Sequence, residues 1–232
     1  MPLMRDNAGA IIYPARVKRE WIDNATPGTS APGSAFSVAA GTYSTPSGWS
    51  GTSNQGRASL TTGSVSGNAA AIKGNAPLNV INTANFNALS LTLESLNIDA
   101  DTGADFEMGF QGIGSLGGAS LMHLNGAATA VIRVRNAAGA ITDFPTNFTI
   151  FQASGGGRSR RNVTFLLLPR GYMGDNRAFV YILEDDQTMA EVDISSVYTT
   201  AQNVVPIFQT VTRTAAARIM SWANVKMAFW HN

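Results

Sequence analysis

The chain has no cysteine, which removes the disulfide scaffold, the thiolate zinc site and the cysteine nucleophile together. Histidine occurs only at His123 and His231. One lies in a strand-like stretch and one is penultimate, so neither a Ser/His/Asp arrangement nor a histidine metal site suggests itself. Charge is scarce: Asp, Glu, Lys and Arg make up 13% of 232 residues, with a net charge of +1. Neutralising the phosphates of a nucleic acid needs a clear basic excess, so no nucleic-acid partner is expected. No segment approaches the ~20 apolar residues of a membrane-spanning helix, so no membrane insertion is expected. The apolar run Ala10-Ile11-Ile12-Tyr13 meets Arg16, Lys18 and Arg19 too soon to be a signal peptide, so the chain is expected to start in the cytoplasm.

What is present is small and polar, and Ser, Thr, Asn and Gly must supply the solubility that charge does not. A chain of this length can form one large β domain with a sizeable core. Residues 1–45 read as an arm and linker: Pro14 and the i, i+4 pair Val17 and Trp21 permit a turn or two of helix. A stretch rich in Thr, Pro, Gly, Ser and Ala follows. Trp21 and Ile22, beside a basic cluster, are candidate partner-binding residues.

Residues 46–232 read as a β-sandwich. Leu89, Leu91 and Leu93 alternate with Ser90, Thr92 and Glu94; Ile132 and Val134 alternate with Arg133 and Arg135. The same period of two returns at residues 189–194 and 225–230. Two segments, residues 163–168 and 178–183, are apolar at nearly every position, which implies cover on both faces. Glu184-Asp185-Asp186-Gln187 between strands reads as a tight hairpin turn. With turn signals every 8–12 residues, the expected architecture is all-β, a two-sheet antiparallel sandwich. Leu166, Leu168, Val180 and Ile182 are expected on the outward face, covered by a symmetry-related subunit, with a trimer as the first guess.

Residues 68–74, Asp105-Phe-Glu-Met-Gly-Phe-Gln-Gly112 and the strand, loop, strand, hairpin order of residues 163–194 resemble concanavalin A-like jelly-roll domains. The Gly/Ala/Ser/Asn-rich style and the arm-plus-sandwich layout are similar to structural proteins of tailed-bacteriophage virions. That resemblance implies a non-enzymatic virion protein made in the host cytoplasm: a capsid decoration protein, or a neck, tail or fibre component. Its partners would be itself and other virion proteins. The alternatives are a carbohydrate-binding lectin or receptor module recognising a host surface glycan and, more remotely, a glucanase-like glycoside hydrolase.

Three constellations bear on chemistry. Asp105 and Glu107 sit two apart on one face of a strand, roughly 7 Å apart by strand rise, and paired carboxylates at such separations hydrolyse glycosides. The Glu-x-Asp-x-x-Glu pattern of jelly-roll glucanases is not completed, because Met108, Gly109, Phe110 and Gln111 follow. No catalytic residue or cofactor is therefore expected. Asp99, Asp101 and Asp105 cluster oxygen ligands on a loop as calcium prefers, but lack the Gly and distal Glu of an EF-hand; ordinary turn chemistry explains them as well. Gly155-Gly-Gly-Arg158-Ser-Arg160-Arg161 joins a pliable backbone to three guanidinium groups. Arg158, Arg160 and Arg161 are candidates to grip an acidic partner surface. Trp49, Trp222 and Trp230 have rings able to stack on sugars, but tryptophan in a sandwich more often fills the core or an interface.

Overall fold

The computed structural model describes residues 17–24, 32, 36–44, 58–75, 80–98, 103–150, 161–169 and 176–231. Among them the chain forms seventeen strands. They are β1 (Val17–Asn24), β2 (Phe36–Ala40), β3 (Thr42–Ser44), β4 (Ala58–Thr61), β5 (Ala69–Gly74), β6 (Ile81–Asn82), β7 (Phe86–Ile98), β8 (Ala104–Gly112) and β9 (Gly118–His123). The series continues with β10 (Val131–Arg135), β11 (Ile141–Pro145), β12 (Arg161–Leu168), β13 (Phe179–Glu184), β14 (Gln187–Asp193), β15 (Asn203–Thr212), β16 (Ile219–Trp222) and β17 (Asn224–His231).

The strands form two antiparallel sheets. The nine-stranded sheet runs β14-β13-β12-β7; β7 then pairs along most of its length with β17, which carries β1, and at its end with β16, which leads to β4 and β3. The eight-stranded sheet runs β11-β10-β9-β8-β15-β5-β2, with β6 also on β15. Period-two alternation turns one face of each sheet inward. Leu89, Leu91 and Leu93 of β7 and Phe165 and Leu167 of β12 join Phe106, Met108 and Phe110 of β8 in one core. Phe110 and Phe165 meet across it with ring centroids 6.0 Å apart and planes tilted by 55°. The expected hairpin turn is present at Asp185 and Asp186, whose φ angles of 47° and 63° are those of a two-residue turn that follows the strand twist.

The expected arm is not separate from the sandwich where it is described. β1 pairs along its length with β17, and β2 and β3 join the edges of β5 and β4. Phe36 and Tyr43 are core residues. A strand satisfies its backbone hydrogen bonds on an open sheet edge, whereas an isolated helix as short as the one permitted by Pro14 and the Val17–Trp21 spacing is marginal in water.

The nine-stranded sheet is apolar on both faces at its centre, as its unbroken runs imply; Leu166 and Leu168 face outward as expected, but Val180 and Ile182 do not. Val180 opposes Leu167 and Ile182 opposes Phe165, so both belong to the inter-sheet core. The outer face holds Leu166 and Leu168 with Phe179, Tyr181, Leu183, Ala88 and Trp230, all buried within this one chain. Neither run carries a regularly placed polar residue to mark its outward side. The register with β7, Phe165 on Leu91 and Leu167 on Leu89, decides it. Val180 and Ile182 are therefore packing residues and not a subunit interface. Leu166→Lys would strand an ammonium in this outer cluster and should lower unfolding stability in urea by at least about 3 kcal/mol. Were the face a subunit contact, that substitution would dissociate an oligomer and leave the chain's stability near wild type.

Candidate functional site

The chemistry-bearing side chains converge on the outward face of the eight-stranded sheet. β8 turns Phe106, Met108 and Phe110 into the core, which sends Asp105, Glu107 and Gln111 the other way. Register then sets Glu107 between Met122 of β9 and Gln209 of β15. One strand further, Arg133 of β10 stands opposite Ser120 of β9.

Glu107 is 2% exposed. Its Oε1 accepts hydrogen bonds from the Ser120 hydroxyl at 2.7 Å and the Arg135 guanidinium at 3.0 Å, and its Oε2 from the Gln209 amide at 2.7 Å. One carboxylate is thus held from β9, β10 and β15 at once. Asp105 is also buried. Its Oδ1 accepts from the backbone N–H of Asn125 at 2.8 Å, and its Oδ2 from Arg213 Nε at 2.8 Å and from a second nitrogen of the same guanidinium. Toward the sheet edge Arg133 forks onto Asp143 with bonds of 2.8 and 2.7 Å. The arrangement alternates acid and base across the face, and every oxygen of Asp105 and Glu107 has a protein donor.

Such a pair is poorly placed for glycoside chemistry, which needs one carboxyl to deliver a proton and another to reach the sugar or its water. Phe110, in the place where the glucanase pattern has its third acid, packs in the core. Asp105 is likewise committed to Arg213 and not to a cation. Among the described residues no three His, Asp or Glu side chains gather as a metal site. Asp99 and Asp101 lie outside the described residues.

The arginine loop divides in the same way. Arg158 and Arg160 lie outside the described residues. Arg161, the first residue of β12, is spent inside the fold: its guanidinium pairs with Glu184, donates to the carbonyl of Thr149 and lies 5.1 Å from the Phe148 ring centroid. It pins the β12–β13 end and is not available to a partner. Trp21 stands opposite Met227 in the β1–β17 register, and Ile22 is 50% exposed. Trp222 and Trp230 are both buried, so neither offers a face to a sugar; Trp49 lies outside the described residues. Sequence reading found Asp105 and Glu107 but not Ser120, Arg135, Gln209 and Arg213 as their partners. The only signal was the alternation that sends Arg133 and Arg135 outward, because the pairing spans up to 108 residues of chain.

No protein-family model and no curated protein matches this sequence. Solved structures do. A protein of unknown function from Shewanella oneidensis MR-1 superposes with a TM-score of 0.57 at 12% identity, covering 100% of this chain and 97% of that one. The carbohydrate recognition domain of Emp47p gives 0.55 at 11% identity over 94% and 98% of the two chains. Peanut lectin gives 0.50 at 12% identity over 91% and 97%. The fold is a concanavalin A-like jelly roll. At these identities the likeness is one of architecture, and the site must speak for itself.

His123, 1% exposed, closes β9 on the inward side, opposite Phe106. Burial holds its imidazole below the ordinary 6.5, against the opposing pull of Asp105 and of a backbone hydrogen bond with Leu124. The unfolded chain then binds the extra proton first. Stability contributed here is complete above about pH 6.5 and is lost as the pH falls below it. Melting temperature should drop between pH 7.5 and 5.5, and His123→Gln should flatten that slope. An unchanged slope in the variant would move the titration elsewhere.

Proposed function

We propose that this chain is a non-catalytic structural protein of a tailed-bacteriophage virion, a capsid decoration protein or a neck, tail or fibre component. It would be made in the host cytoplasm and would work by presenting a rigid jelly roll to neighbouring subunits. The observation that carries the non-catalytic half is the state of the acid pair: Glu107 and Asp105 are buried, and each is held by an arginine and further donors. The structural half is supported by composition, since a surface solubilised by Ser, Thr, Asn and Gly with 13% charge suits burial against neighbours. No cofactor enters this reading.

A second reading, a glycan-binding module, draws support from the shared fold with the carbohydrate recognition domain of Emp47p and with peanut lectin. On this chain it would have to work without Trp222 and Trp230, both buried.

Two measurements separate the readings. In lysates of producing cells the protein should co-sediment with assembled phage particles on a density gradient, and recovery only in the soluble fraction would overturn the virion assignment. Purified protein should release no reducing sugar from β-glucans and select no ligand on a glycan array. Hydrolysis abolished by Glu107→Gln would make it an enzyme, and a reproducible glycan hit would make it a lectin.

A further inference from the structure

Of all the asparagines in the chain only Asn125 is followed by glycine, Gly126. Both residues are exposed, on the β9–β10 turn that the Ala127 N–H closes onto the Leu124 carbonyl at 3.0 Å. An asparagine side chain and the next main-chain nitrogen can close a five-membered ring, and a β-carbon on the following residue crowds that approach. Gly126 has none, and nothing lies within 4 Å of where one would stand.

The fold treats the two ends of the Asn125 amide differently. Its Oδ1 accepts the Gly103 N–H at 2.5 Å. A donor on that oxygen draws electron density from the amide carbon, and it faces the negative charge that collects there when a nucleophile adds. The amide nitrogen is not used. Among the described residues nothing accepts a hydrogen bond from Asn125 Nδ2 or from the Gly126 N–H. Loss of ammonia therefore costs the fold no hydrogen bond, and the Gly103 N–H would hold a carboxylate oxygen more strongly than it holds the amide one.

We propose that Asn125 is a site of spontaneous covalent modification, deamidating in the folded chain through a cyclic imide. The Gly126 nitrogen gives its proton to hydroxide and bonds to Asn125 Cγ; the Cγ–Nδ2 bond breaks, and Nδ2 takes up a proton and leaves as ammonia. Water then opens the ring. Breaking the bond from Cγ to the Gly126 nitrogen gives aspartate, and breaking the bond from the Asn125 main-chain carbon gives isoaspartate. Overall a water is consumed and an ammonia released.

Either product sets a new negative charge beside Asp105, which is 3% exposed, takes the Asn125 N–H on its Oδ1 at 2.8 Å and is paired with Arg213. It also cancels the formal net charge of +1. Isoaspartate adds a main-chain carbon inside the turn, which breaks the Leu124–Ala127 geometry and loosens the cap that Asn125 forms on the buried carboxylate. The site goes beyond the virion reading and does not depend on it.

Peptide mass spectrometry on the full-length protein, stored folded at mildly alkaline pH, tests this. Asn125 should convert while the other asparagines stay intact, with ammonia released in step and isoaspartate detected there by isoaspartyl methyltransferase labelling. The rate should climb with pH, because the attacking nitrogen must lose its proton. Asn125→Gln keeps an amide but needs a larger ring, and it should lose nearly all of the conversion while melting with wild type. Asn125→Asp, the product without the lengthened chain, should melt above the isoaspartate fraction separated by ion exchange. An Asn125 that stays intact in the folded chain, or aspartate formed there without isoaspartate, overturns the site. An isoaspartate fraction that melts together with Asn125→Asp overturns the loosening of the Asp105 cap.

Discussion

A carboxylate buried to 2% exposure at the middle of a sheet obliges the protein to bring donors to it from several directions. Left unpaired, Glu107 would cost several kcal/mol. Its donors come from β9, β10 and β15, so the bond set is complete only when both neighbours of β8, and β10 beyond β9, are in register. A slip of one residue in any of them would turn the donor inward and an apolar side chain outward. The polar cluster and the hydrophobic core therefore specify the same alignment, and a face lined with acids and bases serves the fold.

The nine-stranded sheet meets a different demand. Its central strands are apolar on both sides, and the outer cluster around Leu166, Tyr181 and Trp230 is buried by the same chain. Hydrophobic surface that might have driven association is used up internally. What remains exposed and apolar stands at the ends and edges, at Ile22, Ile113, Leu116 and Ile141 among others.

The sheet architecture was legible in the sequence because alternation is a local signal. Leu89 to Glu94, Ile132 to Arg135 and the Asp185-Asp186 turn all sit where the pattern puts them. Parity failed at Val180 and Ile182, where uniform apolar runs carry no polar marker and only pairing with β7 fixes the faces. Composition says nothing of an open edge, so the pairing of β1 with β17 at the far end of the chain was not legible. Of the candidate residues, Asp105 and Glu107 were recognised as a pair, but their neutralising partners lie 13 to 108 residues away in sequence. No local pattern encodes such contacts. Arg161, read as part of a free basic loop, proved to be bound to Glu184, for the same reason.

Glu107 and Arg135 form a buried ion pair that ties β8 to β10. A double-mutant cycle with Glu107→Gln and Arg135→Met, followed by urea unfolding, addresses it most directly. Each single substitution should destabilise the chain, and the double variant should recover part of the loss, with a coupling energy of about 2 kcal/mol. Additive losses with coupling near zero would contradict the account and free the carboxylate for another role.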